Sequence, residues 1–385
     1  MEINKKIMII GIPKEIQEHE SRVAISPEIV KKYLSLDHKI IIEKDSGKKS
    51  LISDENFRSS GAEIVNSSEE VYRQSDIIIK VNPPLESELN LIKENSILIS
   101  FFQIKDQINN IKFLINKKIT LLSMSHIPRT TLAQKMDALS SQSNIAGYKA
   151  VIIGSNHIQK YMPLLMTAAG TIQPAKVLIL GAGVAGLSAI ATAKRLGAQV
   201  FAFDVRSVVK EQVESLGAKF IEVKSESDEG TGEGGYAKEV SDEYKKKQTL
   251  LLEQEIVKMD LVITTALIPE RPAPILINQS MVENMKPGST IMDLAAINGG
   301  NCELTQLDKI INHRGVLIDG TSNIPSTMSF HASELYAKNI YNFIEHILNN
   351  EEKKLNKEEE ITAGATLIDN GTINNDLINK FLEGK

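Results

Sequence analysis

The stretch VLILGAGVAGLSAIATAKRLGAQVFAFDVR, residues 177–206, decides the reading of the whole chain. An apolar run of strand length meets Gly181, Gly183 and Gly186, a helical pattern opens there, and a second apolar run ends at Asp204. Each glycine answers a physical need of such a turn. Gly181 permits the tight bend, Gly183 lets backbone approach a pyrophosphate, and Gly186 allows the helix to pack closely on the strand. The pyrophosphate then rests on the helix N-terminus at Val184, where unpaired amides and the helix dipole favour an anion. Asp204 lies about 20 residues on, where a carboxylate accepts from the adenosine ribose hydroxyls, with Val205 and Arg206 beside it. Its charge repels a 2′-phosphate, so the expected cofactor is NAD(H) rather than NADP(H). Arg206 is expected to flank the ribose or to face solvent.

Working outward, strand–helix alternation runs through almost the entire chain. Apolar, β-rich runs occur at IMIIGI (7–12), KIIIE (39–43), DIIIKV (76–81), SILISFF (96–102) and ITLLSM (119–124). A second set begins at AKVLIL and continues through QVFAFDV, KFIEV, DLVITTA, STIMDLA and GVLIDG. Continuous apolar strands of this length indicate parallel sheets covered on both faces. Between them lie helical patterns such as SPEIVKKYLSL, in which Ser26 can cap, Pro27 takes the first helical position and Glu28 complements the dipole. From Ser329, FHASELYAKNIYNFIEHILNN reads as one long helix with an apolar stripe, carrying the chain back to the first domain. The expected fold class is therefore α/β, with two doubly wound, Rossmann-like parallel-sheet domains and a cleft between them. Residues 1–143 and 329–385 would form a discontinuous N-terminal flavodoxin/Rossmann-like domain completed by the C-terminal helix. Residues 144–328 would form the NAD(H)-binding Rossmann domain. The glycine-rich, charged segment 226–248 breaks the pattern and reads as a mobile surface excursion.

Bulk properties exclude several function classes. A length of 385 residues favours two domains, and 42% apolar with 24% charged content is that of a soluble globular protein. A net charge of −5 argues against nucleic-acid binding. Cys302 is the only cysteine, which rules out an internal disulfide or thiolate cluster and fits a reducing cytoplasm. The short apolar run near the N-terminus meets Pro13 and reads as a first strand, and the stretch Val177 to Ala193 is interrupted by glycines, so no membrane insertion is expected. No P-loop, GxSxG elbow, HExxH or CxxC occurs, the seven histidines lack ligand spacing, and no metal is expected. A dehydrogenase acting on an alcohol or amine wants a general acid/base near the nicotinamide, and none announces itself. Direct transfer of a hydride between two nicotinamides needs only that their C4 atoms be held about 3–3.5 Å apart.

The segments GIPKE…SRVAISPE, IIIKVNPP, PRTTLAQKMDALSS, NIAGYKAV, the 177–206 stretch itself, GGYAKE, VITTALIPERPAPILI and MKPGSTIMDLAAINGGNCE resemble the alanine dehydrogenase/transhydrogenase superfamily. The likeness is strongest to the NAD(H)-binding component, domain I, of proton-translocating transhydrogenase, and it covers nearly the whole chain. That resemblance implies roles for a loop that residue chemistry alone leaves as a solvated turn. Arg129 and Asp137 would orient the nicotinamide, Ser140 would assist, and Gln134 would reach toward the partner's nucleotide. The 226–248 segment resembles the family's mobile loop, with Tyr236 closing over nucleotide and Gly235 and Gln248 in contact with it. Leu267 would line the cofactor cleft. The resemblance also implies a homodimer, NADP(H) held on a partner subunit, membrane-spanning partner subunits, and a peripheral place on the cytoplasmic face of the inner membrane.

Alanine dehydrogenase is the rival within that superfamily, because Arg22 and Lys80 match the pair that grips its substrate. Two positions depart from it. Gln103 stands where that branch has a histidine, and Ile297 where it has an aspartate. Gln cannot shuttle a proton and Ile cannot pair with an amine, so amino-acid dehydrogenation is not expected, and Arg22 and Lys80 are left with structural or interface roles. A non-catalytic NADH-sensing module is a third reading.

Overall fold

The computed structural model describes residues 7–223, 242–268, 271–348, 355–356 and 358–382. The chain forms two compact units, one of residues 1–142 with 326–385 and one of residues 143–325. Among the described residues no helix is long and apolar enough to cross a membrane.

In the first unit, β1 (Ile9–Ile12), β2 (Lys39–Glu43), β3 (Glu63–Val65), β4 (Ile77–Ile79), β5 (Ile97–Ser100) and β6 (Thr120–Ser123) are parallel, in the order β6-β5-β4-β1-β2-β3. The five apolar runs read from the sequence are β1, β2, β4, β5 and β6, all but β2 trimmed at their ends; β3 is not among them. β4 is fully buried along its length, as expected for a strand with helices on both faces. Ser26 caps the helix Pro27–Ser35 through its side chain, with Pro27 at the first position. Strand order reverses between β1 and β4, which creates a switch-point crevice beyond their C-terminal ends.

The second unit repeats the plan. After a separate hairpin, β7 (Leu165–Thr167) with β8 (Gly170–Ile172), come β9 (Lys176–Leu180), β10 (Gln199–Phe203), β11 (Lys219–Ile221), β12 (Leu261–Thr264), β13 (Thr290–Asp293), β14 (Ile310–His313) and β15 (Val316–Asp319). Their order is β11-β10-β9-β12-β13-β15-β14, parallel except for the β14–β15 pair, so the switch point lies between β9 and β12.

The chain re-enters the first unit through the helix Ser329–Ile347, which buries Tyr336, Ile340, Phe343, Ile344 and Ile347 on one stripe. These residues join Ile10, Ile12, Tyr33 and Ile79 in a single core cluster. Each such side chain, fully buried, stabilises the unit by about 1.5–3 kcal/mol. The return is more than a helix. β16 (Thr366–Asp369) and β17 (Thr372–Ile373) extend the first sheet in antiparallel sense from β6. Asn370 and Gly371 between them both have positive φ, 45° and 79°, the hairpin geometry that an Asn-Gly step favours.

Candidate functional site

At the switch point of the second unit, Gly181 follows β9 with φ +100°. A side chain there would be strained, and its Cβ would lie 2.5 Å from Thr265 Oγ1 at the end of β12. That Thr265 hydroxyl donates to the Gly181 carbonyl at 3.0 Å, so the turn is tied to the neighbouring strand across the crevice. Gly186 is fixed differently. A Cβ there would meet the Gly181 carbonyl oxygen at 1.8 Å. Gly183 caps the helix Val184–Arg195 without any side-chain hydrogen bond, and a Cβ there would meet nothing within 4 Å among the described residues. First-turn amides, a half-exposed Val184 and open space above Gly183 are what an approaching pyrophosphate needs.

Asp204 ends the adjacent strand and is 7% exposed. Its Oδ2 accepts from Ala182 N at 2.7 Å, which fixes the carboxylate against the glycine-rich turn. Arg206, which the sequence reading expects to flank the ribose or to face solvent, is paired with Asp204 and its side chain is 14% exposed. Its Nε donates to Asp204 Oδ1 at 2.9 Å and its Nη2 to Oδ2 at 2.7 Å. The cause is geometric, since a guanidinium fork two residues along fits a carboxylate in bidentate fashion. The pairing raises the pKa of the arginine. Ribose hydroxyls that use Asp204 therefore compete with Arg206 for it. Val205 is half-buried and packs on the neighbouring core.

Leu267, two residues past Thr265, is 44% exposed at the mouth of β12. Gln248 lies on the helix Asp242–Ile256 and, at 7% exposure, offers little surface to a ligand. Gly235 and Tyr236 lie outside the described residues. Three residues that the sequence reading did not single out also shape this unit. Gly147, midway along the helix Ala138–His157, faces Ala185, whose carbonyl oxygen would sit 2.0 Å from an added Cβ. A glycine inside a helical pattern, about 1 kcal/mol worse than alanine there, was the available signal. Asp293, which ends β13, and Asn301 are both buried, and Asn301 N donates to Asp293 Oδ2 at 2.8 Å.

The Arg129–Ser140 loop belongs to the first unit. Arg129 and Gln134 are exposed. Asp137 stands immediately before the helix Ala138–His157, accepting from Ser140 N at 2.8 Å and from the Ser140 hydroxyl at 2.6 Å. Asp137 and Ser140 are thus brought together as a helix N-cap.

The first unit's switch point is filled by the chain itself. Arg22 grips Glu20 through Nε and Nη2, at 2.8 and 2.7 Å, and donates to Gln142 Oε1 at 2.9 Å. Lys80 Nζ donates to Glu88 Oε1 at 2.8 Å and lies 3.6 Å from Glu15 Oε2. Glu15 Oε1 accepts from Val81 N at 2.6 Å. All five charged residues are at most 6% exposed. Two cations face three carboxylates, and burial pushes the Glu15 carboxyl up to about 7, against the opposing pull of Lys80. A carboxyl raised in the folded state stabilises the fold at low pH and loses that contribution as pH rises through its folded value. Glu15→Gln, which can still accept from Val81 N, should therefore gain stability over the parent by up to about 3 kcal/mol between pH 5 and pH 8. Urea midpoints at the two pH values test this; an unchanged difference would place the proton elsewhere. Gln103 and Ile297 are both exposed, Ile297 at 66%.

A glycine-rich turn and terminal aspartate at the switch point of a twice-repeated, doubly wound α/β plan define a dinucleotide-binding fold. The N-terminal domain profile of alanine dehydrogenase/PNT matches residues 11–146 and the C-terminal domain profile residues 150–376, and the chain belongs to that family. It is 46% identical over 375 residues to the first part of the NAD(P) transhydrogenase alpha subunit of Rhodospirillum rubrum, covering 95% of this chain and 97% of that one. Alanine dehydrogenase of Methanococcus maripaludis is 31% identical over 333 residues, 84% of this chain and 82% of that one. The solved structure of transhydrogenase from Sinorhizobium meliloti superposes with a TM-score of 0.85 at 40% identity, over 95% of this chain and 99% of that one.

Proposed function

We propose that this chain is the NAD(H)-binding subunit of a proton-translocating NAD(P) transhydrogenase. It holds NADH for direct hydride transfer to NADP⁺ carried on a partner subunit, and a separate membrane-spanning subunit couples the transfer to proton movement. The observation that carries this reading against its rival is the state of the two family cations. Arg22 is bidentate on Glu20 and Lys80 is paired with Glu88, so neither offers its charge to the carboxylate of an amino-acid or 2-oxo-acid substrate. With Gln103 and Ile297 in place of an acid/base pair, the chemistry left is the one that needs positioning alone. In this reading Arg129, Gln134, Asp137 and Ser140 serve the nicotinamide end, while Gly181, Gly183, Gly186 and Asp204 hold the rest of the dinucleotide. A nucleotide-binding role for Gly235, Tyr236 and Gln248, which the resemblance implies, belongs to the same reading.

The enzyme then sits on the cytoplasmic face of the inner membrane through its partners. A homodimer is supported by the β7–β8 hairpin, which joins neither large sheet and leaves Leu164, Met166 and Ile172 exposed at 51%, 73% and 46%. Apolar patches of this kind mark association surfaces.

The test is a paired assay on the purified chain. One reaction contains NADPH, an oxidised NAD analogue and a separately purified NADP(H)-binding transhydrogenase component; the other contains NAD⁺ and alanine. Analogue reduction only with the partner present is the expected result. NADH formation from alanine would overturn the proposal.

A further inference from the structure

Asn301 is completely buried, and every polar group it owns is engaged. Its Oδ1 accepts from Ala266 N at 3.0 Å, and its Nδ2 donates to Ala266 O and to Pro274 O, both at 2.8 Å. Its backbone carbonyl accepts from Leu276 N at 2.8 Å and Ile277 N at 3.0 Å, and its N–H donates to Asp293 Oδ2 at 2.8 Å. The side chain therefore clamps both backbone polar groups of Ala266, just beyond β12, and ties them to Pro274, while the Asn301 backbone holds Leu276 and Ile277.

Asp293, at the end of β13, anchors the clamp. Its carboxylate accepts from Thr264 Oγ1, Ala295 N, Asn301 N, Cys302 N and Thr305 Oγ1, at 2.6 to 3.0 Å. So saturated a buried carboxylate sits rigidly, because any motion breaks several charge-assisted bonds together. The segment on the glycine side of Ala266 is held independently: Thr265 donates from N to Leu180 O at 2.8 Å and from Oγ1 to Gly181 O at 3.0 Å. Two separate sets of bonds thus meet at the β9–β12 switch point. One fixes the turn that would receive the pyrophosphate. The other fixes Ala266 and, next to it, the exposed Leu267.

We propose that Asn301 is a positioning residue that sets the nicotinamide end of the nucleotide site through Ala266 and Leu267, without touching the cofactor and without contributing to the adenosine and pyrophosphate end. The inference rests on the proposed NAD(H)-binding function. It also explains a buried amide where an apolar residue would satisfy packing alone: a backbone N–H and two carbonyls at a strand end need partners, and a single amide group supplies all three.

The experiment compares NADH with ADP-ribose, which lacks only the nicotinamide, by equilibrium titration on the full chain, with thermal melts alongside. For Asn301→Ala the expected result is at least tenfold weaker NADH binding with ADP-ribose affinity within twofold of the parent. Equal losses for both ligands, or no loss for either, overturn the inference. If Asn301→Ala does not fold, Asn301→Asp decides, since it retains volume and the acceptor for Ala266 N but loses both donated bonds. It should show the same one-sided loss, and a symmetrical one overturns the inference. Failure of the parent chain to bind either ligand is a different result, and it overturns the NAD(H) reading beneath.

Discussion

Gly186→Ala is expected to weaken NADH binding by about 100-fold or more, and to lower the melting temperature by roughly 6–12 °C, because it overpacks backbone against backbone. The added Cβ would stand 1.8 Å from the Gly181 carbonyl oxygen and 2.9 Å from its carbon. Neither atom can retreat cheaply, since Gly181 holds φ +100° and its carbonyl is bonded to Thr265. Gly183→Ala is the informative companion. Gly183 has φ −77° and ψ −166°, extended backbone that any residue adopts, and its Cβ would meet nothing within 4 Å among the described residues. Fold strain therefore predicts nothing for it, whereas a pyrophosphate resting on the turn predicts a loss of about tenfold in affinity from lost close approach. Fluorescence titration with NADH and a melting curve separate the two. Gly183→Ala with unchanged affinity would mean that the nucleotide does not lie on this turn.

The contrast between those glycines also shows which parts of the molecule were legible in the sequence. The fold class was, because buried parallel strands advertise themselves as uninterrupted apolar runs: KIIIE is β2 in full, and the second unit's β9 and β10 lie within the runs that flank the glycines. The β16–β17 hairpin was also written there, as Asn370–Gly371 between short apolar stretches, but strands of four and two residues in a polar tail are a weak periodic signal beside a long helix. Partnerships across space were not legible. Nothing in the spacing of Arg206 distinguishes a ribose contact from a clamp on Asp204, because both need the same side chain two residues beyond the strand.

Arg22 and Lys80 make the same point in the first unit. As a pair of cations they resemble a substrate grip, yet what decides their availability is Glu20, Glu15 and Glu88, at separations in sequence from two to 65 residues. A buried cation whose charge is matched by the fold's own carboxylates is costly to redirect toward a ligand, since the abandoned carboxylate would remain buried without a partner. In one unit the buried cations are matched by the fold's own carboxylates, while the other presents a glycine-rich turn at a helix N-terminus. Two copies of one topology end in different chemistry.

Asp137 is where structure and proposed function make opposing demands on one carboxylate. As an N-cap it receives Ser140 N and the Ser140 hydroxyl, and losing that is expected to cost about 1 kcal/mol. As a group orienting the nicotinamide it would contribute to hydride-transfer geometry, where a misplacement of about 1 Å costs on the order of 100-fold in rate. Asp137→Ala removes both roles and cannot tell them apart. Asp137→Asn can, because asparagine caps a helix as well as aspartate and presents an oxygen to the same N–H. The expectation is that Asp137→Asn melts within about 2 °C of the parent. Reconstituted with an NADP(H)-binding partner, it should still transfer hydride about 100-fold more slowly. NADH affinity should change far less than the rate, because in the proposed reading the glycine-rich turn holds most of the dinucleotide. Recovery of the rate together with the stability would reduce Asp137 to a helix cap, and the nicotinamide would then have to be oriented by Arg129 and Gln134 without it.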